Sequence, residues 1–312
     1  MEQIMTPAQE LPQESHGARN PGPGWGYQFL RITDLILPEM IFRPLRAIGT
    51  AVAVAGMPAQ RRHSREYLRV MLGRDPSWLE VCRHFFAFEE ALMQRLRVAN
   101  GRPYPCQFAA GADAFREWYT QGGPALLGTF HVGVSDLLGF QLGGMNKGRI
   151  YLVRMRVGNS HDTERLSARF GKGLEFIWIN QPSEMLFALK DAARSDAAIA
   201  LQCDRVDFSA KTEAFQFLGA KRWFPFTIYH LAFIFNRPVI LSVGLPGPGH
   251  SWLHASPRFE PSAGESREAG LQRARAHFQG FLTQLEELLR VSPYHWFNFI
   301  PLNPTTKPEV AA

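Results

Sequence analysis

The chain has 312 residues, 46% of them hydrophobic and 20% charged. That balance excludes a disordered or collagen-like protein and is enough for one large core. Its net charge is +6, but the basic residues are scattered, without dense runs or interleaved aromatics, which argues against a nucleic-acid partner.

In chain order, residues 1–24 are polar and rich in Pro, Gly and Gln, and read as a disordered leader without the apolar core of a signal peptide. Residues 25–56 are strongly apolar but interrupted by Arg31, Asp34, Glu39, Arg43 and Arg46, with helix breaks expected at Pro38 and Pro44. A spanning helix needs about 20 nearly uncharged residues. Two short amphipathic helices lying in a membrane interface fit better, and an ordinary pair of helices packed on a soluble core is the alternative. Helical periodicity continues through 64–100, so that 25–105 reads as a helical, membrane-associating region.

From residue 106 to 303 the pattern alternates. A helix over 111–122 leads to a buried strand, PALLGTF, then helix (135–145), strand (148–155), helix (163–173) and strand (174–180). A helix over 183–196, a strand AAIALQC, an extended EAFQFLG, a helix over 226–236, a strand PVILSVGLP and a long closing helix from Arg267 complete the series. Such alternation predicts an α/β domain with a mostly parallel central sheet flanked by helices. Residues 304–312 read as a flexible tail. The 24 Phe against 7 Tyr point to a greasy interior or an apolar binding surface. Cys82, Cys106 and Cys203 are too widely spaced for a disulfide framework or a CxxC metal motif, and read as small buried hydrophobes in a reducing setting.

One segment carries chemistry. His131 follows the strand ALLGTF and leads into a helix, the place where open α/β sheets keep catalytic groups. Asp136 lies five residues on. An imidazole acting as general base needs a carboxylate to fix its tautomer, and Asp136 is the nearest candidate. Ser135 is a candidate helix cap. An HxxxxD spacing alone also occurs by chance, and a histidine after a strand is often structural. No GxSxG elbow suggests a hydrolase.

The segment PALLGTFHVGVSD resembles the HX4D/E block of the lysophospholipid acyltransferase superfamily, and its continuation is similar to the late acyltransferases of lipid A biosynthesis. The blocks follow in order: Arg154 in YLVRM, Asn159, Arg169 to Gly173 in RFGKG, Asp204 closing IALQCD, FLG at Phe217 to Gly219, and YHLAFIFNRPVILSV. The terminal LEELLRVSPYHWFNF is similar to the family's closing helix with its Pro, aromatic and Trp. The chain departs from the lipid A branch in having Asp136 where that branch usually has Glu, Arg205 where it has Gln, and Leu218 where it has Phe.

The resemblance implies a glycerolipid acyltransferase-like fold with N-terminal membrane-associating helices. It implies His131 as general base and Asp136 as its orienting carboxylate. Arg154 and Arg169 would face phosphate or the developing oxyanion, unless they are solvated charges, and Asp204 would be structural or in contact with substrate. The implied reaction is acyl transfer from an acyl thioester, carried by acyl carrier protein or CoA, to a hydroxyl of a lipid or glycolipid such as a lipid A precursor. A lysophospholipid, aminolipid or aryl lipid is another acceptor, and a lipid-binding relative without turnover is the alternative outside enzymes. No cofactor or metal is implied, and the expected location is the cytoplasmic face of a bacterial inner membrane.

Overall fold

A computed structural model describes residues 24–138, 149–154, 173–178, 182–206, 209 and 211–307. Four helices come first: α1 (Gly24–Ile36), α2 (Glu39–Gly56), α3 (Pro58–Leu72) and α4 (Trp78–Ala99). They are followed by β1 (Cys106–Phe108), α5 (Asp113–Gln121), β2 (Leu126–Gly133), β3 (Ile150–Arg154), β4 (Leu174–Trp178) and α6 (Pro182–Arg194). The remainder is β5 (Ala198–Gln202), β6 (Thr212–Phe217), β7 (Ala220–Pro225), α7 (Thr227–Phe235), β8 (Val239–Gly247), β9 (His250–Ala255) and α8 (Arg267–Val291).

The main sheet has seven strands in the order β1-β9-β8-β2-β5-β3-β4. Strands β8, β2, β5, β3 and β4 run parallel. At one edge β9 is antiparallel to β8 and β1 is parallel to β9, so both run in reverse. The expected α/β class with a mostly parallel, helix-flanked sheet is therefore present. Neither the edge strand β1 nor its neighbour β9 is among the expected strands, because their sequences CQF and HSWLHA lack a sustained apolar run.

Period-two alternation divides the sheet's side chains between two cores. Leu126, Phe130, Ile199 and Leu241 enter the larger core with residues of α3, α4, α7 and α8. Leu127, Ala198, Ala200 and Ile240 point the other way, toward Phe115 and Trp118 of α5. Most of the phenylalanine excess is interior: Phe130, Phe215, Phe224, Phe226, Phe278 and Phe281 form one chain of ring contacts in the larger core. Tyr67, Leu68, Val81 and Phe85 bring α3 and α4 into that core.

The antiparallel pair β6–β7 is a tight hairpin around Leu218 and Gly219, both at positive φ (51° and 72°). Two such residues suit the twist of a two-residue turn. The FLG element of the sequence is thus a hairpin, with Phe217 paired to Ala220.

At the amino end, Pro38 separates α1 from α2 as expected, but Pro44 lies inside α2 instead of breaking it. Among the described helices no single one is long and apolar enough to cross a membrane; α2 and α3 together reach that length and composition but are bent by 101°. The start of the expected tail is tied down, since Pro304 accepts a hydrogen bond from the Trp223 amide at 2.9 Å. The leader, the helix expected over 163–173 and most of the one over 135–145 lie outside the described residues.

Candidate active site

Three neighbouring parallel strands end on one side of the sheet, and each delivers a polar group there. His131 lies two residues before the end of β2, Arg154 ends β3, and Asp204 lies two residues beyond β5. In an open α/β sheet this carboxyl edge is where ligands bind.

His131 is held by a carboxylate, and that carboxylate is Asp204. Its Nδ1 lies 2.8 Å from Asp204 Oδ1, and its backbone N–H donates to Asp204 Oδ2 at 2.7 Å. The indole N–H of Trp296 donates to the same Oδ2 at 3.2 Å. Asp204 is 2% exposed. Burial raises its carboxyl pKa, but the His131 imidazole, Arg205 and the His131 amide outweigh burial and bring it below the ordinary value. An ionised carboxylate can only accept, so Nδ1 carries a proton, and in the neutral imidazole Nε2 is the nitrogen with the lone pair. The His131 side chain is 17% exposed.

Asp136 does not take the role of orienting carboxylate. It faces Arg154 at 3.2 Å and Arg95 at 3.8 Å. Burial raises its pKa, and Arg154, Arg95, His131 and Arg205 more than compensate, taking it to about 2. Burial lowers the pKa of Arg154, with Asp136 acting against that. The physical reason for the exchange is the strand itself. β2 continues to Gly133 and the chain turns into a helix only at Ser135, which carries Asp136 toward the end of β3. The neighbouring strand β5 runs in register beside β2, with Thr129 opposite Gln202, and places Asp204 next to His131. Asn159 and Arg169 lie outside the described residues.

The turn after His131 is fixed by backbone contacts. Gly133 has φ 52°, and a Cβ there would meet the Gly244 carbonyl at 2.4 Å, so no other residue fits without a shift. Val134 N–H donates to that carbonyl at 2.7 Å. The Ser135 hydroxyl donates to Val132 O at 2.6 Å and accepts from the Gly244 amide at 2.9 Å. Its hydroxyl thus ties the turn to β8. The closing segment runs along the other side, with Gly133 N–H donating to His295 O at 2.6 Å and Phe297 N–H to His131 O at 2.8 Å.

Among the described residues, the candidate nucleophiles near the imidazole are otherwise engaged. Ser135 is spent on the turn, Thr129 donates to Leu201 O at 3.3 Å, and Cys203 is 2% exposed, with burial and then the Asp204 charge holding its thiol far above the ordinary value. Beside Asp136 and Arg154 lies a cavity of about 40 Å³ lined by Leu127, Leu138, Ile150 and Leu152. It has room for a few waters rather than for a ligand. Among the described residues no group of three His, Cys, Asp or Glu could hold a metal.

The helices at the amino end bury polar groups alongside Phe42 and Val54. Asp34, Arg46 and Thr50 are buried, whereas Leu35, Ile36, Met40, Leu45, Ile48 and Val52 are exposed, Met40 to 85%. The buried charges face α4. Arg46 pairs with Glu39 at 2.7 Å and Glu89 at 2.5 Å, Arg97 with Asp34 at 2.6 Å and also with Glu39, and Arg102 with Asp34 at 3.2 Å. From Pro44 to Met57 the only charged residue of α2 is Arg46, and it is one of those turned inward. Turning Asp34 and Arg46 inward leaves an outer face that is mainly apolar, with Glu39 and Arg43 still exposed on it.

No protein-family model and no curated protein sequence matches this chain.

Proposed function

We infer that this chain is an acyltransferase in which His131, oriented by Asp204, takes the proton from a hydroxyl of a lipid or glycolipid acceptor. The observation that carries this reading is a carboxylate-oriented imidazole at the carboxyl edge of the sheet, beside Ser, Thr and Cys side chains that are all otherwise engaged. A base without its own nucleophile acts on a hydroxyl of the substrate. As the acceptor oxygen loses its proton to Nε2 it attacks the thioester carbonyl, the C–S bond breaks, and the thiolate leaves with a proton from the imidazolium. Arg154, Arg95 and Asp136 form a charged group beside this centre, suited to an anionic part of donor or acceptor. The donor is an acyl thioester of acyl carrier protein or CoA.

The test is to offer the purified protein a radiolabelled acyl thioester on each carrier, with a lipid A precursor, a lysophospholipid and an aminolipid as acceptors. Formation of an acyl ester on one of them is the expected result, and an amide on the aminolipid would instead assign an amine acceptor. If no acceptor is acylated, and the lipids of cells with and without the protein are identical, the reading fails and a lipid-binding role replaces it.

The exposed apolar face of α1 and α2 supports action at a membrane surface; the cytoplasmic face of a bacterial inner membrane is the location that the family resemblance implies. Fully burying one Leu or Ile side chain contributes about 1.5–3 kcal/mol, and α1 and α2 offer at least six large apolar side chains. Replacing Ile48 or Leu45 with Glu lowers vesicle binding by at least about tenfold each, since 1.4 kcal/mol is tenfold. Vesicle co-sedimentation measures this, with an unchanged thermal midpoint as control. Equal binding by the variants would rule out this face.

A further inference from the structure

We propose that Trp296 is a positioning residue for the His131–Asp204 pair, locked in place by Ser64 and His84 of helices α3 and α4. The proposal rests on the catalytic role given to His131 above and extends that site to residues 64–84 and 296.

The carboxylate of Asp204 needs a fixed plane if one oxygen is to meet His131 Nδ1. Two donors hold the other oxygen, the His131 amide at 2.7 Å and the Trp296 indole N–H at 3.2 Å. The first moves with the strand that carries His131; only the second comes from elsewhere in the chain. Without the indole, Oδ2 keeps one donor, and the carboxylate can tilt about it.

Trp296 is itself held on several sides. It is 1% exposed, its backbone forms an antiparallel bridge with Val132, and Tyr67 and Phe217 each meet its ring edge-on at 5.3 Å. Tyr67 also donates its hydroxyl to Pro293 O at 2.8 Å. Beneath them is a polar relay with no direct contact to the site. His84 Nε2 lies 2.8 Å from the Trp296 carbonyl, and Ser64 Oγ lies 2.8 Å from His84 Nδ1. The carbonyl only accepts, so His84 donates from Nε2 and accepts from the Ser64 hydroxyl at Nδ1. His84 is fully buried, and burial is the main cause that brings its pKa down to about 4, so at neutral pH the ring keeps this single arrangement.

Every polar atom of this relay is thereby used, and a packing role for an indole needs none of them. Helices α3 and α4 need only present apolar side chains to fill the core. Instead they bury a serine and a histidine whose hydrogen bonds end on the residue that braces Asp204. The line Ser64–His84–Trp296–Asp204–His131 joins the helical region to the imidazole without reaching the surface before its last member.

The experiment replaces Trp296 with Phe, and in parallel with β-(3-benzothienyl)alanine, which keeps the bicyclic shape and lacks the N–H. Two readouts are taken on the full chain: kcat and KM for acyl transfer, and the tautomer of His131 from ¹⁵N–¹H correlations of histidine-labelled protein. The expected result is a fall in kcat of about tenfold with KM unchanged, the size of one hydrogen bond to a charged group, together with appearance of the Nε2–H tautomer. His84→Phe gives a smaller change of the same kind. If the benzothienyl variant keeps both kcat and the Nδ1–H tautomer, Trp296 serves only as packing and the proposal falls. The tautomer does not depend on turnover, so it decides the brace even if no acyl transfer is found; failure of the transferase reading is read instead from the absence of any acylated acceptor, and failure of His131 as base from transfer that survives His131→Ala.

Discussion

His131→Ala is expected to lower acyl transfer by about 10²–10⁴-fold, the usual contribution of a positioned general base, while leaving the fold intact. The ring is partly exposed and its neighbours are held by backbone contacts that do not involve the imidazole: Gly133 N–H to His295 O, Phe297 N–H to His131 O, and the His131 amide to Asp204. Alanine keeps all of these. What it removes is Nε2, and with it the only described group near the site that carries a free lone pair set by a buried carboxylate. KM for the thioester should change little, because the imidazole acts on the acceptor's proton and not on the acyl chain. Steady-state rates with a radiolabelled acyl thioester, alongside circular dichroism and a thermal midpoint, check both halves. Transfer that survives the substitution would show that the proton leaves by another route.

Much of the frame around this residue was legible in the chain. PALLGTF, AAIALQC and PVILSVGLP are short apolar runs bounded by turn residues, and they became β2, β5 and β8, the three strands at the centre of the sheet. The long closing helix starts at Arg267 as its amphipathic pattern indicates. The strands that escaped detection, β1, β7 and β9, are the ones burial does not write into sequence: β1 has three residues, β7 carries Lys221 and Arg222, and β9 carries His250 and His254. The helices of residues 24–56 were legible as amphipathic, but not which side would face inward. Periodicity gives a polar stripe and an apolar stripe; only the arrival of Glu89 and Arg97 from α4 makes the polar one internal.

At the site, sequence proximity misled. Asp136 stands five residues from His131 and a helix would bring it near, whereas Asp204 is 73 residues away. The signal that could have found it is positional: Asp204 follows its strand as His131 closes its own, and adjacent parallel strands deliver such residues to the same edge. The terminal block marks Trp296 but gives no sign of its partner, since the indole reaches Asp204 across 92 residues.

The exchange of carboxylates leads to the sharpest test. Asp204→Asn is expected to reduce kcat by about 10²–10⁴-fold, and Asp136→Asn by far less, and the reason lies in which atoms each asparagine must present. Asp204 Oδ2 accepts from two N–H groups, the His131 amide and the Trp296 indole. In the asparagine variant the side-chain carbonyl has to occupy that position, because an NH₂ there would face two donors with no acceptor among them. The NH₂ group then falls at the place of Oδ1, 2.8 Å from His131 Nδ1. A donor facing Nδ1 requires Nδ1 to accept, which moves the ring proton to Nε2 and leaves the catalytic nitrogen protonated. Removing the orienting carboxylate of a histidine-based triad in this way costs about 10⁴-fold through the wrong tautomer. Asp136 has no such hold on the ring. Its replacement by Asn unbalances Arg154 and Arg95, so its main expected effect is on KM for an anionic substrate, by a few-fold, with the Nδ1–H tautomer of His131 unchanged. Kinetics of the two variants side by side, with the ¹⁵N tautomer assignment on each, separates the roles. A larger loss from Asp136→Asn than from Asp204→Asn would return the orienting role to the nearer carboxylate.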